Sequence, residues 1–205
     1  MPAPSDDTTL LGYLNAVAAR TPTPGGGSVA GVTGALATAI ATMAVRYSQG
    51  KKSLAGHEPA FAAAVAVFEQ ARALLLQLTA EDEEAFAEYQ RQKKQADAGQ
   101  AAEALAVCIR VPETIGSTAV ALLRTLDGLV DKTNLYLLSD LAVAAELAAA
   151  TVRCAGHNVR VNVPELPDAA ARNAVLDRAD HQRAQAVRLV SGIVAKIEAR
   201  QQEGT

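Results

Sequence analysis

Tryptophan is absent from this 205-residue chain and aromatic residues make up only 3 % of it, so large flat side chains cannot fill its interior. Half of the residues are nevertheless hydrophobic. Packing is therefore left mainly to Ala, Leu and Val, a composition suited to helices that approach one another closely. Cysteine is scarce as well. Cys108 and Cys154 are the only two, both in apolar helix-like segments, which excludes a disulfide framework and reads as small core residues in a reducing compartment. Three histidines, His57, His157 and His181, show no short ligand spacing, so no metal site is expected. A net charge of −3 gives no global field to attract nucleic acid or an anionic membrane, and any anion binding must be local. The stretch MPAPSDDTT lacks the basic start and apolar run of a signal peptide, and a cytoplasmic location is expected. At this length one domain, residues 1–205, is the expectation.

What the chain does have is a glycine loop. Thr21 to Ser28 read TPTPGGGS. Pro22 and Pro24 fix φ, while Gly25, Gly26 and Gly27 permit conformations and close approaches that a Cβ forbids. Ser28 is placed to cap the helix that follows, and backbone N–H groups at such a helix start can meet a carboxylate or a polar ligand edge. A tight packing turn is the competing reading. No Lys-Ser/Thr pair follows the last glycine and no strand precedes it, so the loop is not a nucleotide fingerprint.

The rest reads as helices. Leu10 to Arg20 carry a short apolar pattern, and Val29 to Val45 contain no charge but are short and diluted by Gly31, Gly34 and threonines, which predicts a buried helix rather than a membrane span. Ala30, Gly34, Ala37, Thr38 and Ala41 recur at helical spacing, suited to a neighbouring helix in a bundle or across a subunit interface. Gly50 is the expected end. A second long helix is predicted from Pro59 to about Lys94, a third from Gln100 to Leu126 with Pro112 crowding the Cys108 carbonyl, and a fourth from Ser139 to a stop at Gly156. His157 to Val163 alternate polar and apolar residues and predict one extended segment. Asp168 is placed to cap a last amphipathic helix reaching about Gln201. The fold class is all-α, an up-and-down multihelical bundle with Ala-rich seams.

Candidate chemistry lies on a few of these elements. Asp82 belongs to the acidic run EDEE but shares a helix side with Leu78 and Phe86, each four residues away, and a carboxylate on an apolar stripe is a usable proton carrier. The other acidic residues read as a solvated face. Ser139 and Asp140 open the fourth helix, where either can cap it. Lys51 and Lys52, with Arg46 a turn earlier, could clamp a dicarboxylate or simply be solvated. Arg160, between Val159 and Val161, is an anion clamp or a surface residue.

Taken together, PTPGGGS-V-A, the G-K-K after it, D-x-x-A-F on the second helix, S-D-x-x-V-A-A on the fourth and N-V-R-V-N beyond it resemble the formimidoyltetrahydrofolate cyclodeaminase / methenyltetrahydrofolate cyclohydrolase family over almost the whole chain. The resemblance implies a helical homodimer without metal or other cofactor. Its cleft would lie near the subunit interface and act on the one-carbon unit between N5 and N10 of tetrahydrofolate. It implies Asp82 and Asp140 as catalytic carboxylates, and Gly25, Gly26, Gly27, Ser28, Lys51, Lys52, Asn134 and Ser139 as substrate-binding residues, to which Arg160 is added as the anion clamp. Tyr136 stands where the family carries a second asparagine, which changes the polar lining. Cyclodeamination of 5-formimidoyltetrahydrofolate is expected, with methenyltetrahydrofolate hydrolysis as the alternative. A non-catalytic dimerisation module and, further off, a membrane-associated bundle are the readings outside that class.

Overall fold

A computed structural model describes residues 9–95 and 98–203. Among the described residues the secondary structure is wholly helical: α1 (Leu10–Val17), α2 (Gly26–Arg46), α3 (Glu58–Gln95), α4 (Ala98–Asp127), α5 (Leu138–Asn162) and α6 (Ala169–Glu203), with 3-10 turns at Lys52–His57, Leu135–Leu137 and Val163–Glu165. The start of MPAPSDDTT lies outside the described residues; Gly99 and the polar run before it predict a turn, yet Gly99 lies in the first turn of α4 and the run as far as Gln95 belongs to α3. Helices α2, α3, α4 and α5 form a ring in which each packs on the next and α5 closes on α2, while α6 lies over the α4–α5 side.

Close approach of the backbones explains why so few large side chains suffice. Ala37, Ala41 and Ala44 of α2 and Ala144, Ala145, Ala148 and Ala149 of α5 are fully buried, and Phe61, Phe68, Leu75, Leu123, Leu126 and Leu141 fill what remains. At Gly34 a Cβ would come to 3.0 Å from Leu75 and 3.1 Å from the Thr151 methyl, so α2 is wedged between α3 and α5. The small-residue stripe of α2 therefore faces inward, and it is not the surface for a second subunit. The outer face of α2 carries instead Val29, Leu36 and Tyr47, of which Leu36 is 55 % exposed.

Four expectations need correction. Ser28 does not cap α2. Gly25 is the N-cap, without a side-chain bond, and Ser28 sits inside the first turn, fully buried. The helix ends at Arg46, before Gly50, whose φ of +72° completes the turn that follows. By length and composition α2, whose most apolar 18-residue window has a mean hydropathy of 1.7, and three other helical stretches are long and apolar enough to cross a membrane, so residues 29–45 are not too short or too diluted for a span. The extended segment at residues 157–163 does not exist, because α5 runs through Gly156 to Asn162. A seven-residue alternation also contains an i, i+4 stripe, and here Val159 and Val163 use it to reach the core. Elsewhere the expected boundaries hold within a few residues, and Asp168 accepts from the Ala170 and Ala171 N–H groups at 3.1 and 3.0 Å as a helix cap.

Candidate active site

The start of α2 is pressed against the middle of α3. A Cβ on Gly27 would lie 2.2 Å from both carboxylate oxygens of Asp82, a contact no other residue type permits. The Ser28 backbone N–H faces the same carboxylate and favours its ionised form, but burial and the neighbouring Glu83 charge outweigh it and push Asp82 up to about 6. Behind this contact lies a polar cluster the sequence did not announce. Ser28 Oγ is 3.0 Å from Tyr13 Oη, and Glu83, only 7 % exposed, has an Oε1 without a partner among the described residues. Burial raises Glu83 as well, against the opposing influence of the Ser28 hydroxyl. The acidic run is thus only partly a solvated face: Glu84 is exposed, whereas Asp82 and Glu83 turn inward.

In front of Asp82 opens a pocket of about 200 Å³, lined by Pro22, Thr23, Gly25, Gly26 and Gly27 on one side and by Phe86, Cys108, Asn158, Val161 and Asn162 on the other. Its back wall follows from Pro112. Proline has no N–H, so the Cys108 carbonyl one turn earlier loses its helical donor, and Asn162 Nδ2 donates to that carbonyl from α5 at 3.0 Å. Burial pushes the Cys108 thiol up to about 11, which keeps it neutral. Asn158, one turn before Asn162, donates to the Cys154 carbonyl at 2.9 Å and lies against Gly26. Both asparagines belong to the N-V-R-V-N motif. They stack at i, i+4 once the segment is read as helix, and the misread period is why neither stood out beforehand.

The remaining candidates lie elsewhere. Lys51 and Asn134 line a separate pocket of about 440 Å³ with Tyr136 and Arg200, and Lys52 is exposed nearby at the start of the 3-10 turn. Asn134 is held by its N–H donating to Ser48 Oγ at 3.1 Å, while its Oδ1 accepts from the Tyr136 N–H at 3.3 Å. Ser139 and Asp140 occupy the first turn of α5, which neither of them caps. At about 1.5 Å per residue, Asp140 and Asn158 are about 27 Å apart along α5. Within one chain Asp82 and Asp140 are therefore not a pair. Arg160 is bound to Asp180 of α6 and faces a smaller cavity beside His157 and Arg183 rather than Asp82.

A helical bundle that holds a half-buried carboxyl, pushed up to about 6, at the wall of a concave pocket is an all-α protein with a candidate site for a small ligand. The sequence pattern of the formiminotransferase-cyclodeaminase family matches residues 9–181. The chain superposes on the crystal structure of formiminotetrahydrofolate cyclodeaminase from Thermotoga maritima with a TM-score of 0.89 and 31 % identity, covering 94 % of this chain and 97 % of that one. It is 30 % identical over 171 residues to methenyltetrahydrofolate cyclohydrolase of Methylorubrum extorquens, covering 79 % of this chain and 82 % of that protein. Against formimidoyltransferase-cyclodeaminase of Mus musculus the identity is 28 % over 96 % of this chain, which spans 38 % of that protein's length. The chain belongs to the formiminotransferase-cyclodeaminase family.

Proposed function

We propose that the chain is an enzyme of folate one-carbon metabolism that converts 5-formimidoyltetrahydrofolate to 5,10-methenyltetrahydrofolate and ammonia. The observation that carries this reading is the Asp82 carboxyl, held against Gly27 at the pocket and titrating near neutrality, at about 6. The protonated formimidoyl group, N5–CH=NH2⁺, is attacked at carbon by N10, which becomes positively charged. Ionised Asp82 accepts the N10 proton and returns it to the formimidoyl nitrogen. That nitrogen departs as ammonia with the C–N bonding pair, leaving the methenyl cation between N5 and N10. A group with a pKa near the working pH can both take and give the proton.

The proposal includes a homodimer. Antiparallel apposition of two α2 outer faces would set the Lys51 end of one copy beside the Gly27 end of the other. Asp140, Lys51, Lys52, Asn134 and Ser139 would then have a route to the pocket, the lysines serving the carboxylates of the folate tail. Arg160, tied to Asp180, would steady α5 against α6. The reading further includes a cytoplasmic protein that needs neither metal nor cofactor for its proton transfer and engages neither nucleic acid nor membrane. Hydrolysis of 5,10-methenyltetrahydrofolate is the second reading, supported by the Methylorubrum extorquens relative. Purified protein incubated separately with the two folates, with methenyl absorbance and ammonia release followed together, tests both. Ammonia formed above the spontaneous rate supports cyclodeamination, methenyl loss alone moves the assignment to hydrolysis, and neither activity in folded protein overturns the folate reading.

A further inference from the structure

The pocket wall opposite the glycine loop carries two oriented amide oxygens. Asn162 Nδ2 donates both to Cys108 O and to Asn158 O, each at 3.0 Å, and Asn158 Nδ2 donates to Cys154 O at 2.9 Å. Carbonyls only accept, so these contacts fix the amide nitrogens in place and determine which way each Oδ1 points. For Asn162 the lock is tight, since Pro112 leaves the Cys108 carbonyl without any helical donor. Neither Oδ1 accepts a hydrogen bond among the described residues, and both side chains line the pocket together with the Asp82 carboxylate. Among the described residues no Lys, Arg or His lines that pocket. The available donors are the Thr23 hydroxyl, the second Nδ2–H of Asn158, the weak Cys108 thiol and the backbone amides of the glycine loop.

Three acceptor groups, with no cation among the described lining residues, suit a ligand group that is positively charged and rich in N–H. We propose that Asn158 and Asn162 are specificity-determining residues that accept hydrogen bonds from the amidinium nitrogen of the substrate and discriminate against the formyl group, its oxygen isostere. The inference rests on the folate reading above and goes further, because it assigns two side chains to the nitrogen that leaves. A formyl oxygen placed at the same point would bring an acceptor against three acceptors. The methenyl cation carries no N–H at that carbon, so a site built only for its hydrolysis would have no use for this wall.

Paired ligands test the proposal. 5-Formimidoyltetrahydrofolate and 5-formyltetrahydrofolate differ at one atom and its hydrogens, and an Asp82→Asn background, which keeps an oxygen at the pocket but removes the proton carrier, allows both to be titrated by calorimetry without turnover. The formimidoyl ligand should bind more tightly by about tenfold, the usual worth of a hydrogen bond to a charged group. Adding Asn158→Ala should bring the two affinities nearly together by weakening the formimidoyl ligand alone. Asn158 bonds only within its own helix, so this variant keeps the fold, and Asn158→Asp should restore the preference. An unchanged preference in Asn158→Ala, or equal binding of the two ligands in the parent, overturns the specificity role while leaving the folate reading intact. Binding of neither ligand overturns both.

Discussion

Replacing Asp82 by Asn should make the protein more stable and nearly inactive, and the two effects should share one pH dependence. The side chains are isosteric, and Asn Oδ1 can still face the Ser28 N–H beside Gly27. What changes is ionisation. In the folded chain the Asp82 carboxyl is pushed up from 3.8 to about 6, chiefly by burial and secondly by Glu83. The folded state therefore holds the proton more tightly than the unfolded chain. That contribution to stability is fully present below the unfolded value and is lost as the pH rises through about 6. At about 1.4 kcal/mol per pH unit, the Asp82 carboxyl costs about 3 kcal/mol at pH 8, where it is held ionised, and about half that at pH 5, where folding must protonate it. Asn bears no such cost. Urea unfolding of both proteins across this range should show a variant advantage that grows with pH and levels off above about 7. Turnover should fall by at least about a hundredfold, the lower range for loss of a general acid–base group, and wild-type kcat/KM should climb as Asp82 ionises through about pH 6. A stability difference independent of pH would show that Asp82 is not held ionised against burial, and full activity of the variant would remove it from the mechanism.

Gly27→Ala should displace the Asp82 carboxylate, whose two oxygens lie 2.2 Å from the new methyl; circular dichroism should stay helical while activity drops by about a hundredfold or more, and an active variant would contradict the contact. Asn162→Leu strands the Cys108 carbonyl and should cost about 1–3 kcal/mol, whereas in a Pro112→Ala background the helix regains its own donor and the same change should cost clearly less; equal costs in a double-mutant cycle would refute the link between Pro112 and Asn162. Light scattering should give twice the chain mass for the wild type and a folded monomer for Leu36→Glu, placed on the exposed face of α2. Ala37→Leu, on the buried face, should lower stability by about 1–3 kcal/mol through overpacking, and a wild-type monomer with full activity would end the interfacial reading.

The helical architecture was legible because apolar periodicity persists over long segments. Phe61, Phe68 and Leu75 mark one side of α3, and all three are fully buried. The register of Asp82 on α3 could be read from Leu78 and Phe86 in the same way. Local irregularities were less legible. Residues 157–163 satisfy a period of two and a spacing of four at once, and only packing of Val159 and Val163 against neighbouring helices decides between them. The burial of Glu83 depends on Tyr13 and Ser28, residues from two other helices, which no pattern within α3 can reveal. The spatial division of the candidates was hidden for a related reason: motif order along a chain says nothing of which end of a helix lies near which. Lys51 follows the glycine loop closely in sequence, yet the whole of α2 separates them.

That separation makes α2 a ruler as well as a wall. It presents the Asp82 contact at its first turn and delivers the chain to Lys51 just past its last, so the number of residues between them sets both the distance and the relative angle of the two groups. One residue inserted near its middle would advance the far end by about 1.5 Å and rotate it by about 100°, turning the inward alanines outward and carrying Lys51 to another side of the bundle. A residue inserted in the exposed turn at Lys52–His57 would alter neither. Length variation among relatives should therefore concentrate in that turn and spare residues 26–46.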